Sequence, residues 1–217
     1  MQMWETFPAL TATGRVCHGF LQRVPGVEVG VDREAALDRL AQAHTKARAE
    51  LGLADHHLVT ARQIHGIGIA EVDARTLPPV EEVDALITAD PSVCLAIYVA
   101  DCCAVYLVDF RLGVIALAHS GKKGTDLGII PRVIETMREK FGSRLSDLVV
   151  QLSPCIRPPH YEVDFAAEIA RQCRAAGVSE VYDCGICTAE NPERYYSYRR
   201  ERGQTGRMLA LMALRSS

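Results

Sequence analysis

No stretch of the chain approaches about 18 consecutive apolar residues, and its start, MQMWETFPALTATGRV, lacks the basic-then-apolar profile of a signal peptide. A membrane span and an export leader are therefore not expected; a cytoplasmic protein is. Runs of like charge are missing too. The 24 Lys plus Arg nearly balance the 27 Asp plus Glu, leaving −3, so there is no basic stripe for a polyanion and nucleic acid is not an expected partner. No glycine-rich loop of the P-loop or dinucleotide type follows a strand, which removes the commonest nucleotide-binding folds. The eight cysteines lack the regular loop spacing of a secreted disulfide framework and sit mostly within apolar runs, so reduced thiols are expected.

What is present is ordinary globular material. With 48% apolar residues in 217, the chain can bury a core without staples, as one domain or two closely packed halves. No repeat, linker or low-complexity segment divides it, and residues 1–217 are treated as a single domain. Apolar positions recur at helical spacing from Asp32, a plausible N-cap, to Leu51, with Gly52 just beyond. Residues 56–72 switch to a period near two around Gly66 and Gly68, which suits two strands meeting at a turn. VDALITAD (83–90), VCLAIYVADCCAVYLVDF (93–110), GVIALAHS (113–120) and DLVVQLSP (147–154) read as buried strands, with 93–108 taken as continuous strand. Helices are expected over 125–140, with Pro131 in the first turn or at a kink and Gly142 at the end, and from an Asp164 cap to Ala176. A last helix is expected along MLALMALR after a Thr205 cap. Long buried strands with unevenly scattered helices predict an α+β fold with a large mixed sheet and surrounding helices.

Three reactive side chains fall at the boundaries of these strands: His65 in RQIHG, Cys102 in ADC and His119 in AHSGKKG. Two imidazoles and a thiolate suit zinc, whose catalytic sites use three protein ligands and leave a position for water. The same set could instead form a thiol hydrolase, with Cys102 as nucleophile and a histidine as base. Against both stands the plain reading of each residue taken singly, a buried cysteine and hydrogen-bonded histidines. CGIC (184–187) has CxxC spacing without a second pair and reads as structural. Lys122 and Lys123, between glycines, could meet an anion or merely solvate a turn. The arginine-rich stretch 195–207, with Arg199 and Arg200, could fix a phosphate or carboxylate, or be an exposed loop.

The order of motifs carries more than any one of them. QIHG (63–66), DALIT (84–88), ADC (100–102), AHSGKKG (118–124), SPCI (153–156), YEV (161–163), CT (187–188) and SYRR…GQTGR (197–207) together resemble the YfiH family, also called laccase-domain or multicopper polyphenol oxidase proteins, over roughly Cys17 to the C-terminus. The resemblance implies an α+β fold similar to the catalytic domain of cytotoxic necrotising factors. It also implies a zinc-binding catalytic centre of His65, Cys102 and His119. The activities implied are phosphorolysis of adenosine, inosine, guanosine and methylthioadenosine, and deamination of adenosine. A nucleoside and phosphate are then the partners, with Lys122, Lys123, Arg199 and Arg200 as candidate phosphate binders. Where the family has AGWRG this chain has Ser120-Gly121-Lys122-Lys123-Gly124, so an aromatic is lost and a lysine replaces the arginine; lysine neutralises phosphate as a point charge but cannot grip it bidentately. Two readings compete: a Cys–His amidase editing peptidoglycan precursors, and a non-catalytic ligand-binding relative. Copper ranks behind zinc, because a multicopper centre needs about ten histidines at short spacing and this chain has seven, of which only His56 and His57 are adjacent.

Overall fold

The computed structural model describes residues 3–215. In chain order the elements are β1 (Trp4–Glu5), α1 (Pro8–Ala12), β2 (Val16–Leu21), α2 (Arg33–Glu50), β3 (His57–Arg62), β4 (Ile69–Glu71), β5 (Val80–Glu81), β6 (Ala85–Thr88), β7 (Val93–Val99), β8 (Cys103–Asp109) and β9 (Val114–Ser120). They continue with α3 (Lys122–Asp126), α4 (Ile129–Phe141), β10 (Leu148–Leu152), α5 (Phe165–Ala175), β11 (Glu180–Asp183) and β12 (Met208–Leu214).

The class is α+β with mixed pairing, as expected, but the strands are divided between two six-stranded sheets: β1-β2-β12-β7-β3-β5 and β11-β10-β8-β9-β6-β4. Side-chain alternation explains the layering. Ala104, Tyr106 and Val108 of β8 share one core with Leu95, Ile97 and Val99 of β7, so the sheets pack face to face. The alternate residues Cys103, Val105 and Leu107 face Ile130, Val133 and Ile169 of α4 and α5. On the outer face of the first sheet, Cys94, Ala96 and Leu211 pack near Ala47 of α2. Four layers result: helix, sheet, sheet, helices.

Three expectations need correction. Residues 208–214 form a strand, not a helix. Met208, Ala210 and Met212 enter the inter-sheet core while Leu209, Leu211 and Ala213 enter the α2 layer. A strand covered on both faces has no polar face, so its periodicity resembles that of a buried helix segment. Residues 93–108 are not one strand: β7 and β8 lie in different sheets, joined by a corner at 100–102 whose Asp101 has φ +78°. The helix expected over 125–140 is two, divided at Gly128 with φ +76°, and Pro131 sits in the first turn of α4. The caps expected at Asp32 and Asp164 hold, with Asp32 accepting from the Ala35 N–H at 2.7 Å and Asp164 from Ala167 at 2.9 Å, whereas Thr205 caps no helix and donates to Glu201. All eight cysteines are free.

Two histidines are buried away from the strand-end cluster. His18 lies near Phe7 and Tyr106 and accepts the Phe7 N–H at Nε2, 2.8 Å. His44 of α2 packs against Tyr98, and neither ring nitrogen has a partner among the described residues. Burial, helped at His18 by the Arg215 charge, pushes each imidazole down to about 4. The unfolded chain then binds more protons than the folded one between about pH 6.5 and 4, so this contribution to stability is intact above pH 6.5 and is lost as pH falls. We expect each histidine to cost on the order of 3 kcal/mol at pH 4. Urea midpoints of wild type and His44→Leu from pH 7 to 4 test this: the variant should lose part of the acid dependence, and identical profiles would refute the assignment.

Candidate metal centre

The three residues singled out at strand boundaries converge at one end of the double sheet. His65 follows β3, Cys102 is the last residue of the β7–β8 corner, and His119 is near the end of β9. One ligand atom from each lies within 4.8 Å of the other two, and the imidazoles meet edge to face with centroids 4.7 Å apart. The trio forms part of the wall of a cavity of about 860 Å³.

Local backbone geometry sets the trio. His65 has φ +58° and Asp101 φ +78°, left-handed conformations uncommon outside glycine that the surroundings must hold. Asp84, fully buried, holds the first. Its Oδ1 accepts from the His65 N–H (3.0 Å) and its Oδ2 from Gly66 (2.7 Å) and Ile64 (3.3 Å). The same Oδ1 accepts from Nδ1 of His119 at 2.8 Å. One carboxylate therefore orients both histidines, and with Nδ1 of His119 so occupied, Nε2 is the atom that would bind a metal once its proton is displaced. The Asp101 side chain braces the second turn, accepting from the Thr188 hydroxyl and the Arg199 N–H, each at 2.7 Å, while its carbonyl takes the Ile156 N–H at 2.8 Å. Gly121 completes the fit, because a Cβ there would lie 2.4 Å from the Cys102 sulfur.

Electrostatics follow from this packing. Burial alone would raise the Cys102 thiol, but the charge and hydrogen bond of His119, with help from His65, outweigh it and bring the thiol down to about 6. Burial likewise disfavours a charged His119, yet the Cys102 thiolate and the Asp84 carboxylate carry it up to about 9. Asp84 is held below the usual carboxylate range: burial opposes its charge, and His119 and the Gly66 N–H outweigh that. An anionic sulfur beside two imidazoles is a donor set that fits a divalent, borderline-soft cation.

The four cations expected to meet phosphate are placed differently. Lys122, Lys123 and Arg199 line the cavity, and Arg200 does not. Lys122 is paired with Asp126 at 2.7 Å, and that hydrogen bond, with the Asp126 charge, raises its pKa. Arg199 is paired with Glu162 at 2.8 Å and lies 4.8 Å over the Tyr161 ring. Arg200 donates to the Ala189 carbonyl. The Lys122-Lys123 turn opens the short helix α3. Sequence reading gave Asp84 and Asp101 no role, although DALIT and ADC contain them; an acidic residue inside an apolar run is a pattern shared with many strand ends. Tyr98, Tyr161 and Tyr198 also line the cavity and supply aromatic surface where the Trp of AGWRG is absent. Cys187 of CGIC is buried and bridges by backbone to Cys155.

Residues 18–169 and 163–215 match the family described as multi-copper polyphenol oxidoreductase laccase. A purine nucleoside phosphorylase of Deinococcus radiodurans is 33% identical over 234 residues, covering 92% of this chain and 89% of the relative. A purine nucleoside phosphorylase of Mycobacterium tuberculosis is 30% identical over 203 residues, covering 81% of this chain and 80% of its own length. Among solved structures, YlmD from Geobacillus stearothermophilus superposes with TM-score 0.82 at 24% identity over 100% of both chains. Bacillus licheniformis YfiH gives 0.81 at 22%, covering 92% of this chain and 93% of its own. At these identities the structures speak to the fold.

Proposed function

Because the chain belongs to the multi-copper polyphenol oxidoreductase laccase family, the YfiH family, and is similar along most of its length to purine nucleoside phosphorylases, we propose that it is a zinc-dependent purine nucleoside phosphorylase that also deaminates adenosine. The observation that carries this reading is the convergence of His65, Cys102 and His119 on a cavity that also holds tyrosines and cations. Zinc, held by those three residues, would supply a Lewis acid to the substrate. The chain's own groups do the rest. Asp84 keeps the His119 ring turned and its Nδ1 protonated. Tyr161 and Tyr198 offer aromatic faces for a purine, and Lys122, Lys123 and Arg199 concentrate an anion in the cavity. In phosphorolysis a phosphate oxygen bonds to C1′ as the C1′–N9 bond breaks. The base leaves with that electron pair and takes up the phosphate's proton, giving ribose 1-phosphate and free purine. In deamination water replaces the C6 amino group, which departs as ammonia. Adenosine, inosine, guanosine and methylthioadenosine are the proposed substrates.

One observation favours a second reading. Cys102, His119 and Asp84 are connected in the order of a thiol hydrolase, with the thiol already lowered by the imidazole. Metal analysis of freshly purified protein, with chromatography of nucleoside plus phosphate reactions, decides between them. Stoichiometric zinc and phosphate-dependent release of purine are expected, abolished by chelation and restored by zinc. Turnover that survives chelation and is stopped by alkylation of the metal-free protein would replace the phosphorylase with the amidase; bound metal without turnover would leave a ligand-binding relative.

A further inference from the structure

The cations around the cavity differ in what already holds them. Lys122 and Arg199 face carboxylates, and Arg33, the first residue of α2, is paired at the surface with Glu34 at 2.7 Å. Arg207 also lines the cavity, yet it is half-buried and has no carboxylate partner among the described residues. Its Nη1 donates to the carbonyls of Thr205 at 3.0 Å and Gly206 at 2.8 Å. A guanidinium carries five N–H donors, and the Nε and Nη2 edge has no acceptor among the described residues.

The placement of Arg207 is rigid. It immediately precedes Met208, which pairs with Val99 of β7, so it stands beside the corner that carries Cys102. Gly206 lies against the Tyr196 ring so closely that a Cβ would come within 2.6 Å of it, and Thr205 donates to Glu201 at 2.6 Å. Burial, and then the charge of Arg33, disfavour the charged guanidinium, and Tyr198, Cys102 and Asp101 offset them only in part. A cation that is partly desolvated, close to a second cation and left with one bidentate edge unused is complementary to a phosphate group, which a planar guanidinium grips with two parallel hydrogen bonds.

We propose that Arg207, with Arg33 beside it, forms the phosphate-holding subsite of the cavity. This deepens the phosphorolysis reading: the arginine grip missing from the AGWRG position is supplied from the head of β12, in the other sheet. Phosphate chemistry could enter as the inorganic ion or as the ester of a nucleoside 5′-phosphate, and the inorganic ion is the assignment made.

The test uses calorimetric binding of inorganic phosphate and of nucleoside 5′-phosphates to full-length, metal-loaded protein, alongside phosphate saturation of phosphorolysis. Arg207→Gln should weaken inorganic phosphate binding and raise the phosphate KM by at least about tenfold, with the nucleoside KM little changed. Arg207→Lys, which keeps the charge and loses the fork, should lie between, and retained metal content in both variants reports an intact fold. If wild type binds inorganic phosphate through Arg207 but releases no purine, the phosphorylase reading fails and the subsite stands. Loss of nucleoside 5′-phosphate binding alone, with no inorganic phosphate bound by wild type, would overturn the inorganic-ion assignment. Arg207→Gln binding inorganic phosphate as tightly as wild type, or a wild type that binds neither ligand, would overturn the subsite.

Discussion

Cys102→Ala is expected to purify without metal and with activity lowered by at least about 1000-fold, whereas its neighbour Cys103→Ala keeps both. The two thiols are adjacent in sequence and occupy different layers. Cys102 ends the corner between sheets and faces His65 and His119, while Cys103 begins β8 and is buried with Val105 and Leu107 against the helices. Cys103→Ala should lose only packing, about 1–2 kcal/mol. His65→Ala and His119→Ala should follow Cys102→Ala, because a three-ligand site that loses one donor no longer closes on its ion. Metal content, turnover and thermal midpoint of the four variants, measured side by side, check this. A metal-free Cys103→Ala beside a metal-replete Cys102→Ala would show that the corner presents the wrong sulfur.

Asp84→Asn should reduce metal affinity by about 10–100-fold although Asp84 is not among the three converging donors. Oδ1 accepts from the His65 N–H and His119 Nδ1 and Oδ2 from the Gly66 and Ile64 N–H groups, and the three backbone protons cannot be withdrawn. An amide puts its NH₂ against one pair whichever way it turns. Turned towards Oδ1, it forces His119 to carry its proton on Nε2, where a metal would bind. Turned towards Oδ2, it opposes two backbone donors and releases the loop that carries His65. Zinc affinity by competition with a chelator distinguishes this from a purely structural loss, since excess zinc should restore turnover to a properly folded variant. A variant with unchanged affinity would remove Asp84 from the centre.

Asp84 and Arg207 also mark where sequence reading stopped. The α2 helix is legible because an Asp cap and a terminal Gly act over one turn, and the buried strands between 83 and 120 are legible because turn signals at Asp90-Pro91 and Leu112-Gly113 bound their apolar runs. The three candidate donors that converge were legible too, from residue types at strand boundaries and from the order of the family's motifs. The aspartate that opens DALIT has no local signature of the four hydrogen bonds it accepts, two of them from Gly66 and His119, which are 18 and 35 residues away. Arg207 lay within the GQTGR motif, but its lack of a carboxylate partner is a property of its surroundings.

The sequence by itself determined the local elements with strong caps, the class of fold, the family and the chemical nature of three reactive side chains, because each depends on short-range pattern or residue type. Only the tertiary structure decided that β7 and β8 part into two sheets at Asp101, that MLALMAL runs as a strand, and which side chains complete the cavity. A run apolar on both faces has the same composition as strand or buried helix, and the choice falls to what covers it. Here the second sheet covers one face and α2 the other, and the ladders from Leu209 to Leu21 and Tyr98 set its register. That register in turn brings Arg207 beside the corner that carries Cys102.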